Sequence, residues 1–301
     1  MKKALAVSTF VLVFVGILPA QANPSPSLED RQMPSVTVPF VADDGHGKPI
    51  TGISSSDLSV LDDKQPVQRI VALRGAKEMP LRMGLLIDTS NSQGSSRLYV
   101  PGVKAAFDFL NQLLSGADDK AFIMPFETVP HGTGFMNRDE LMKAKVNLRP
   151  GGASAIYDAV NLACTERMRT DSLQVPRRVL VLLSDGDDNM SHATRSEAIA
   201  AAQNADTVIY TVSTGSYRKG DKVLELMASE TGGDAYSGLW ETEMPKVFAK
   251  IKTKIEQMYS VTYVPPEASK AGQFRSVELK ITSDKKVKVH APRGYYAASA
   301  Q

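Results

Sequence analysis

Apolar residues follow three patterns along this chain, and the changes between them mark out its organisation. From Pro34 to residue 78 they alternate with polar residues at the period of two that a half-buried strand shows. Ser35-Val36-Thr37-Val38-Pro39-Phe40-Val41 is one such stretch. Leu58 to Leu61 and Val67-Gln68-Arg69-Ile70-Val71 are two more, joined by a turn at Asp62-Asp63-Lys64-Gln65. Asp43-Asp44-Gly45-His46-Gly47-Lys48-Pro49 supplies dense turn chemistry between them.

From residue 79 to 257 continuous apolar runs replace the alternation. Met83-Gly84-Leu85-Leu86-Ile87 stops at Asp88, and Val179-Leu180-Val181-Leu182-Leu183 stops just before Asp185. Such runs fit strands buried on both faces, as a parallel sheet requires. Ala121 to Phe126 and Val208 to Val212 predict two further strands. Between them Val103, Ala106, Phe107, Leu110 and Leu114 share one helical face, with Pro101 near its start. Ala153 to Met168, Ala198 to Ala205 and Thr242 to Gln257 also read as helices. The alternation predicts an α/β fold, a doubly wound, mostly parallel sheet with helices on both faces.

Residues 258–301 return to the strand period at Tyr259 to Val264, Phe274 to Thr282 and Val287 to His290, the last two separated by the turn Ser283-Asp284-Lys285-Lys286. Neither flank holds enough strands for its own core. The expectation is that residues 34–78 and 258–301 pack together as one small β-rich unit, with the α/β domain inserted between them. Ahead of all this, Lys2-Lys3, the apolar Ala4 to Leu18 and Ala20-Gln21-Ala22 compose an export signal over residues 1–22. Cleavage is expected after Ala22, followed by a polar lead over residues 23–33. No later segment is apolar and long enough to span a bilayer. The expected location is the periplasm or the exterior.

Charge then removes one class of function. Without Lys2 and Lys3, 33 basic residues face 33 acidic ones. No basic stripe with interleaved aromatics exists, so nucleic acid is not an expected partner. Cys164 is the only cysteine and falls in a helical pattern, which reads as a buried, inert thiol.

The chemistry concentrates where the apolar runs stop. Asp88-Thr89-Ser90-Asn91-Ser92 follows one strand and Asp185-Gly186 follows another, at the sheet edge where open α/β folds bind ligands. A third loop, Gly151-Gly152-Ala153-Ser154, leads into a helix. Asp88, Ser90, Ser92, Ser154 and Asp185 thus offer two carboxylates and three hydroxyls to one point. That all-oxygen set suits Mg²⁺ or Mn²⁺ and, lacking His and Cys, disfavours Zn²⁺. A position left open on such an ion would accept the carboxylate of an Asp or Glu on a protein partner.

These residues resemble the metal-ion-dependent adhesion site of von Willebrand factor type A domains over about residues 81–257. The flanks resemble a narrower bacterial group, the "VWFA-related" family abundant in acidobacteria. That likeness lies in Gly45 to Gly52, Asp57 to Val60 and Asp62 to Gln65 at one end, and in Phe274 to Leu279 and Arg293-Gly294-Tyr295-Tyr296-Ala297 at the other. Departures are Ser154 in place of the usual Thr, and Asn91 and Gln93 where Gly and Met are common. The resemblance implies an exported, cation-dependent adhesion or binding protein. A structural scaffold of envelope assembly with an incidental metal is the alternative.

Enzyme signatures are missing, and no enzymatic activity is expected. Gly215 and Gly220 have phosphate-loop spacing but Asp221 replaces the Lys. The Ser154 loop lacks the closing Gly of a nucleophile elbow. His46, His131, His192 and His290 read as surface or turn residues, with His192 near the Asp185 loop. Ser92 or Ser95 is an alternative helix cap, Asp158 a helix-start carboxylate, and Asp187 and Asp188 solvated. Trp240 is expected in a local core, and Tyr259, Tyr263, Tyr295 and Tyr296 in strand packing.

Overall fold

The computed structural model describes residues 35–169, 175–215, 218–266, 270–282 and 286–297. The expected export signal and lead lie outside them, as does most of the predicted turn at 283–286. The first flank forms β1 (Val36–Asp43), β2 (Leu58–Asp62), β3 (Gln65–Pro66) and β4 (Arg69–Gly75). The central segment runs through β5 (Leu81–Asp88), α1 (Tyr99–Leu113), β6 (Lys120–Phe126), α2 (Arg138–Lys143) and α3 (Ile156–Leu162). It continues with β7 (Arg177–Ser184), α4 (Arg195–Asn204), β8 (Thr207–Ser213), α5 (Arg218–Glu230), β9 (Ala235–Tyr236) and α6 (Met244–Glu256). The second flank adds β10 (Tyr259–Val264), β11 (Phe274–Ile281), β12 (Lys288–His290) and β13 (Gly294–Tyr296).

The continuous apolar runs become a five-stranded, wholly parallel sheet in the order β6-β5-β7-β8-β9. Alternate side chains of each strand leave opposite faces. Met83, Leu85 and Ile87 enter one core with α1 and α6, where Phe109 and Phe248 approach to 5.4 Å. Leu86, Leu180 and Leu182 enter the other with α3, α4 and α5. Both faces are covered, which is why these strands carry no polar alternation. At the sheet centre Gly84 leaves room for Phe122 and Leu180, whose side-chain atoms occupy the place a Cβ would take.

The two flanks form two four-stranded antiparallel sheets, β12-β1-β10-β4 and β13-β11-β2-β3, each drawing strands from both flanks. Val38, Phe40, Val60, Leu73, Val261, Tyr263 and Leu279 fill the space between them. Asp63 and Lys64 form the two-residue turn from β2 to β3, both with positive φ (48° and 66°), the geometry that matches strand twist. Pro66 sits on the edge strand, where a missing N–H costs no ladder bond.

Several local expectations change. The helix expected from Ala153 begins at Ile156, and its second half, Ala163–Met168, is π-helical. Cys164 there is fully buried, and burial pushes its thiol up. Trp240 is not core: it is 76% exposed. His290 is not a surface residue either. Its side chain is 9% exposed, with Nε2 at 2.8 Å from Asp43 and Nδ1 at 3.3 Å from Asp234. Lys254 pairs with the same two carboxylates, so this cluster ties β1 and β12 to the α/β domain. The sequence reading leaves α2, α5 and β9 unmarked: α2 and β9 are short, and α5 begins just before Gly220.

Candidate functional site

In the order β6-β5-β7-β8-β9 the chain reverses direction across the sheet between β5 and β7. A crevice opens at such a switch point, outside the carboxyl ends of the strands. Asp88 is the last residue of β5, and Asp185 directly follows β7. The two acids therefore face one crevice because of strand order, although 96 residues separate Asp88 from neighbouring Ser184.

Backbone hydrogen bonds clip the loops together. Asn91 N–H donates to Gly152 O at 3.1 Å and Gly151 N–H to Thr89 O at 2.7 Å. The N–H groups of Asn189 and Met190 both donate to Ser154 O at 3.0 Å, binding the glycine loop to the segment after β7. Gly186 has φ +79°, and a Cβ on it or on Gly220 would collide with the other segment's backbone. Asp185 is thus held against the start of α5 by a contact only glycines permit.

Within this frame hydrogen bonds join Asp88, Ser90 and Ser154 and bring Ser92 to Ser90, while Asp185 borders the cleft beside Ser92. Asp88 is wholly buried. Its Oδ1 accepts from Ser90 N–H at 2.9 Å, and its Oδ2 accepts from Ser154 Oγ at 3.1 Å and Ser184 Oγ at 2.6 Å. Ser90 and Ser92 hydroxyls lie 3.0 Å apart. Asp185 shares a cleft of about 860 Å³ with Ser92. Ser92 also borders a hollow of about 440 Å³ lined by Ser90, Ser154, Asp187 and Asn189. Burial, with a smaller contribution from the Asp185 charge, lifts the Asp88 carboxyl to about 6 against the hydrogen bonds from Ser184 and Ser90 that lower it. No ion pair neutralises Asp88 among the described residues.

The alternative roles separate cleanly. Neither Ser92 nor Ser95 caps α1, whose cap is Leu98 with no side-chain bond, and Ser95 Oγ donates instead to Ser92 O. Asp158 accepts from the N–H groups of His192 (3.0 Å) and Ala193 (2.8 Å), so it pins the loop after β7. His192 contacts Asp158 at 3.2 Å with a side chain 92% exposed. Asp188 is more than solvated: its Oδ2 accepts from Tyr157 N–H at 3.1 Å and Ser191 Oγ at 2.6 Å.

Three positioning residues escape a reading of the sequence. Ser184 grips Asp88, Asn189 Oδ1 accepts from Ser154 N–H at 2.9 Å, and Gln93 is buried with Oε1 bound to Thr214 and Nε2 unpartnered. Ser184 carried a signal, a hydroxyl ending an apolar strand. The contacts of Asn189 and Gln93 depend on loops that only folding brings together. Among the described residues no cluster of three or more His, Cys, Asp or Glu capable of holding a metal occurs. The donors assembled here are oxygens, hydroxyls outnumbering carboxylates, and such a set fits a small hard dication that keeps part of its water shell.

No family model matches the sequence, and no curated protein matches it either. Among solved structures the chain is similar to a von Willebrand factor type A protein from Catenulispora acidiphila. Identity is 12%, 81% of this chain and 74% of that one are covered, and the TM-score is 0.51. The chain has the von Willebrand factor type A fold. It is also similar to the vWF domain of the type V pili tip protein Mfa5 from Porphyromonas gingivalis, at 13% identity over 59% of this chain and 95% of that one, TM-score 0.49. Proximal thread matrix protein 1 from the mussel byssus is similar at 16% identity over 65% and 51%, TM-score 0.49. In this type A fold the β-rich unit made by the flanks is an addition to the parallel sheet, and the five predicted residues lie at that sheet's switch point.

Proposed function

We propose that this chain is an exported binding protein that holds Mg²⁺ or Mn²⁺ through Asp88, Ser90, Ser92, Ser154 and Asp185 and engages an acidic group of a protein partner there. One observation carries the reading: a fully buried carboxylate, Asp88, accepts from two hydroxyls, feels the charge of Asp185 and has no cationic partner among the described residues. Buried charges are paired or bind metal. Ser184 and the Ser90 N–H orient Asp88, and Ser154 is fixed by Asn189. When bound, the ion supplies positive charge and an open coordination position. Lys2-Lys3 and Ala20-Gln21-Ala22 of the expected export signal support export, and no helix among the described residues is long and apolar enough to cross a membrane. Among the described residues no histidine is hydrogen-bonded to Ser90, Ser92 or Ser154 to activate a hydroxyl, and binding is favoured over catalysis.

Calorimetry and thermal melts with millimolar Mg²⁺ and Mn²⁺ test the reading. Heat and a raised melting temperature are expected in the wild type and absent in Asp185→Ala. Neither signal in the wild type overturns the cation. Partner capture that survives EDTA favours the scaffold instead.

A further inference from the structure

Large apolar side chains are exposed at six described positions, and four of these lie on segments leaving the carboxyl ends of the parallel strands. Val100 (72% exposed) opens α1 after β5, Val129 (64%) follows β6, Met190 (44%) follows β7 and Trp240 (76%) follows β9. Nothing in the two sheet cores needs them, since those are closed beneath by other residues. Singly exposed apolar side chains are ordinary on a protein surface, so a place on a cleft decides which of the four matters. Trp240 lines the same cleft as Ser92 and Asp185, together with Leu98, Leu239 and Arg97. That cleft, about 860 Å³, lies within the range of about 300–1,000 Å³ typical of ligand clefts. Arg97 is exposed and makes no ion pair or hydrogen bond among the described residues, not even with Glu241 on the same cleft wall.

We infer that this cleft is a specificity subsite for a protein segment whose cation-binding acidic residue is flanked by a large apolar side chain, which packs on Trp240, and by a second carboxylate, which pairs with Arg97. The inference rests on the cation reading above. Charge complementarity selects the occupant locally: a bound cation answers the Asp185 side and the Arg97 guanidinium takes a second carboxylate, while Glu241 on the same cleft sets a like charge against any further acid. A free inorganic anion would leave Trp240 and its apolar neighbours in water. Trp and Arg are also the residues that most often dominate interface energetics when they become desolvated.

Selection from displayed seven-residue peptides with a fixed central Asp, on the purified protein in millimolar Mg²⁺, tests the subsite. Selected peptides should carry an aromatic or long aliphatic residue and a second Asp or Glu. Their synthetic forms should bind Trp240→Ala at least about ten-fold more weakly. Arg97→Glu should weaken them comparably and exchange the acidic preference for a basic one. Both variants change exposed side chains and should keep the wild-type heat of Mg²⁺ binding. Unchanged peptide affinity in both variants, or no peptide selected while Mg²⁺ heat persists, overturns the subsite alone. Absence of Mg²⁺ heat in the wild type overturns the cation site and the subsite with it.

Discussion

Two aspartates, Asp62 in the β-rich unit and Asp88 in the parallel sheet, are both 0% exposed, yet the chain treats them in opposite ways. Asp62 is answered from within. Arg275 Nε donates to its Oδ1, and the hydroxyls of Tyr263 (3.1 Å) and Tyr295 (2.8 Å) donate to its Oδ2. Burial lowers the Arg275 guanidinium, but the hydrogen bond and charge of Asp62 outweigh that and raise it. Burial, then the Asp62 charge, pushes the Tyr263 hydroxyl far above its usual range. Among the described residues Asp88 receives hydroxyls and one N–H but no cationic side chain, with Asp185 adding like charge. A buried charge without a counter-charge is costly, so the difference separates a completed structural network from the place where a bound cation is proposed.

Breaking the completed network should have the largest effect. Asp62→Ala leaves Arg275, itself 5% exposed, with only the longer 3.7 Å pairing to Asp63 and should cost about 3–5 kcal/mol in urea unfolding. A loss under about 1 kcal/mol would mean that water or another acid replaces Asp62. The proposed cation site should respond differently. Mg²⁺ at about one hundred times its dissociation constant should stabilise the wild type by about 2.7 kcal/mol. Asp88→Asn should abolish that gain while leaving the metal-free protein at least as stable, because a neutral amide needs no counter-charge. A metal-free Asp88→Asn protein that unfolds readily would place Asp88 in the same class as Asp62.

The cluster of Asp43, Asp234, His290 and Lys254, which docks the β-rich unit on the α/β domain, gives an intermediate effect. Burial raises Asp234, but hydrogen bonds and charge from His290 and Lys254 outweigh it and hold the carboxyl at about 2, below the ordinary 3.8. Asp43 is also held low, where the Gly45 N–H and His290 outweigh burial. A carboxylate with a depressed folded pKa stabilises fully above its unfolded value and loses that contribution as the pH falls. Stability should therefore decline from about pH 4 towards pH 2, with an Asp234 share on the order of 2 kcal/mol. Melting curves of Asp234→Asn across that range should show a shallower decline, and a parallel one would exclude the cluster as the cause. The smallest effect belongs to His192→Ala. Its side chain is 92% exposed, so stability should change by less than about 0.5 kcal/mol and Mg²⁺ heat should not change. A lost Mg²⁺ signal would bring His192 into the site.

Much of this architecture was legible along the chain. The runs 83–87 and 179–183 announce strands buried on both faces, because a parallel sheet covered by helices leaves no position for polar alternation. The alternation in the flanks announces one-sided burial, and Asp88 and Asp185 stand out as acids ending such runs. Trp240 and His290 were misplaced for a common reason. Hydrophobicity says what a side chain prefers, while its neighbours decide whether that preference is met. Trp240 falls on a loop at the cleft, and His290 on an edge strand whose side chain reaches Asp43 beside it and Asp234 of the α/β domain.

The sequence by itself determined the periods, the turn residues and the chemical kind of each candidate ligand, since these depend on neighbours a few positions away. Only the tertiary structure decided that Asp88 meets Ser154 and Ser184, that Asp62 meets Arg275, and that Trp240 faces the crevice beside Arg97. Those meetings span tens to hundreds of residues. They follow from strand order and loop closure, which no local pattern encodes.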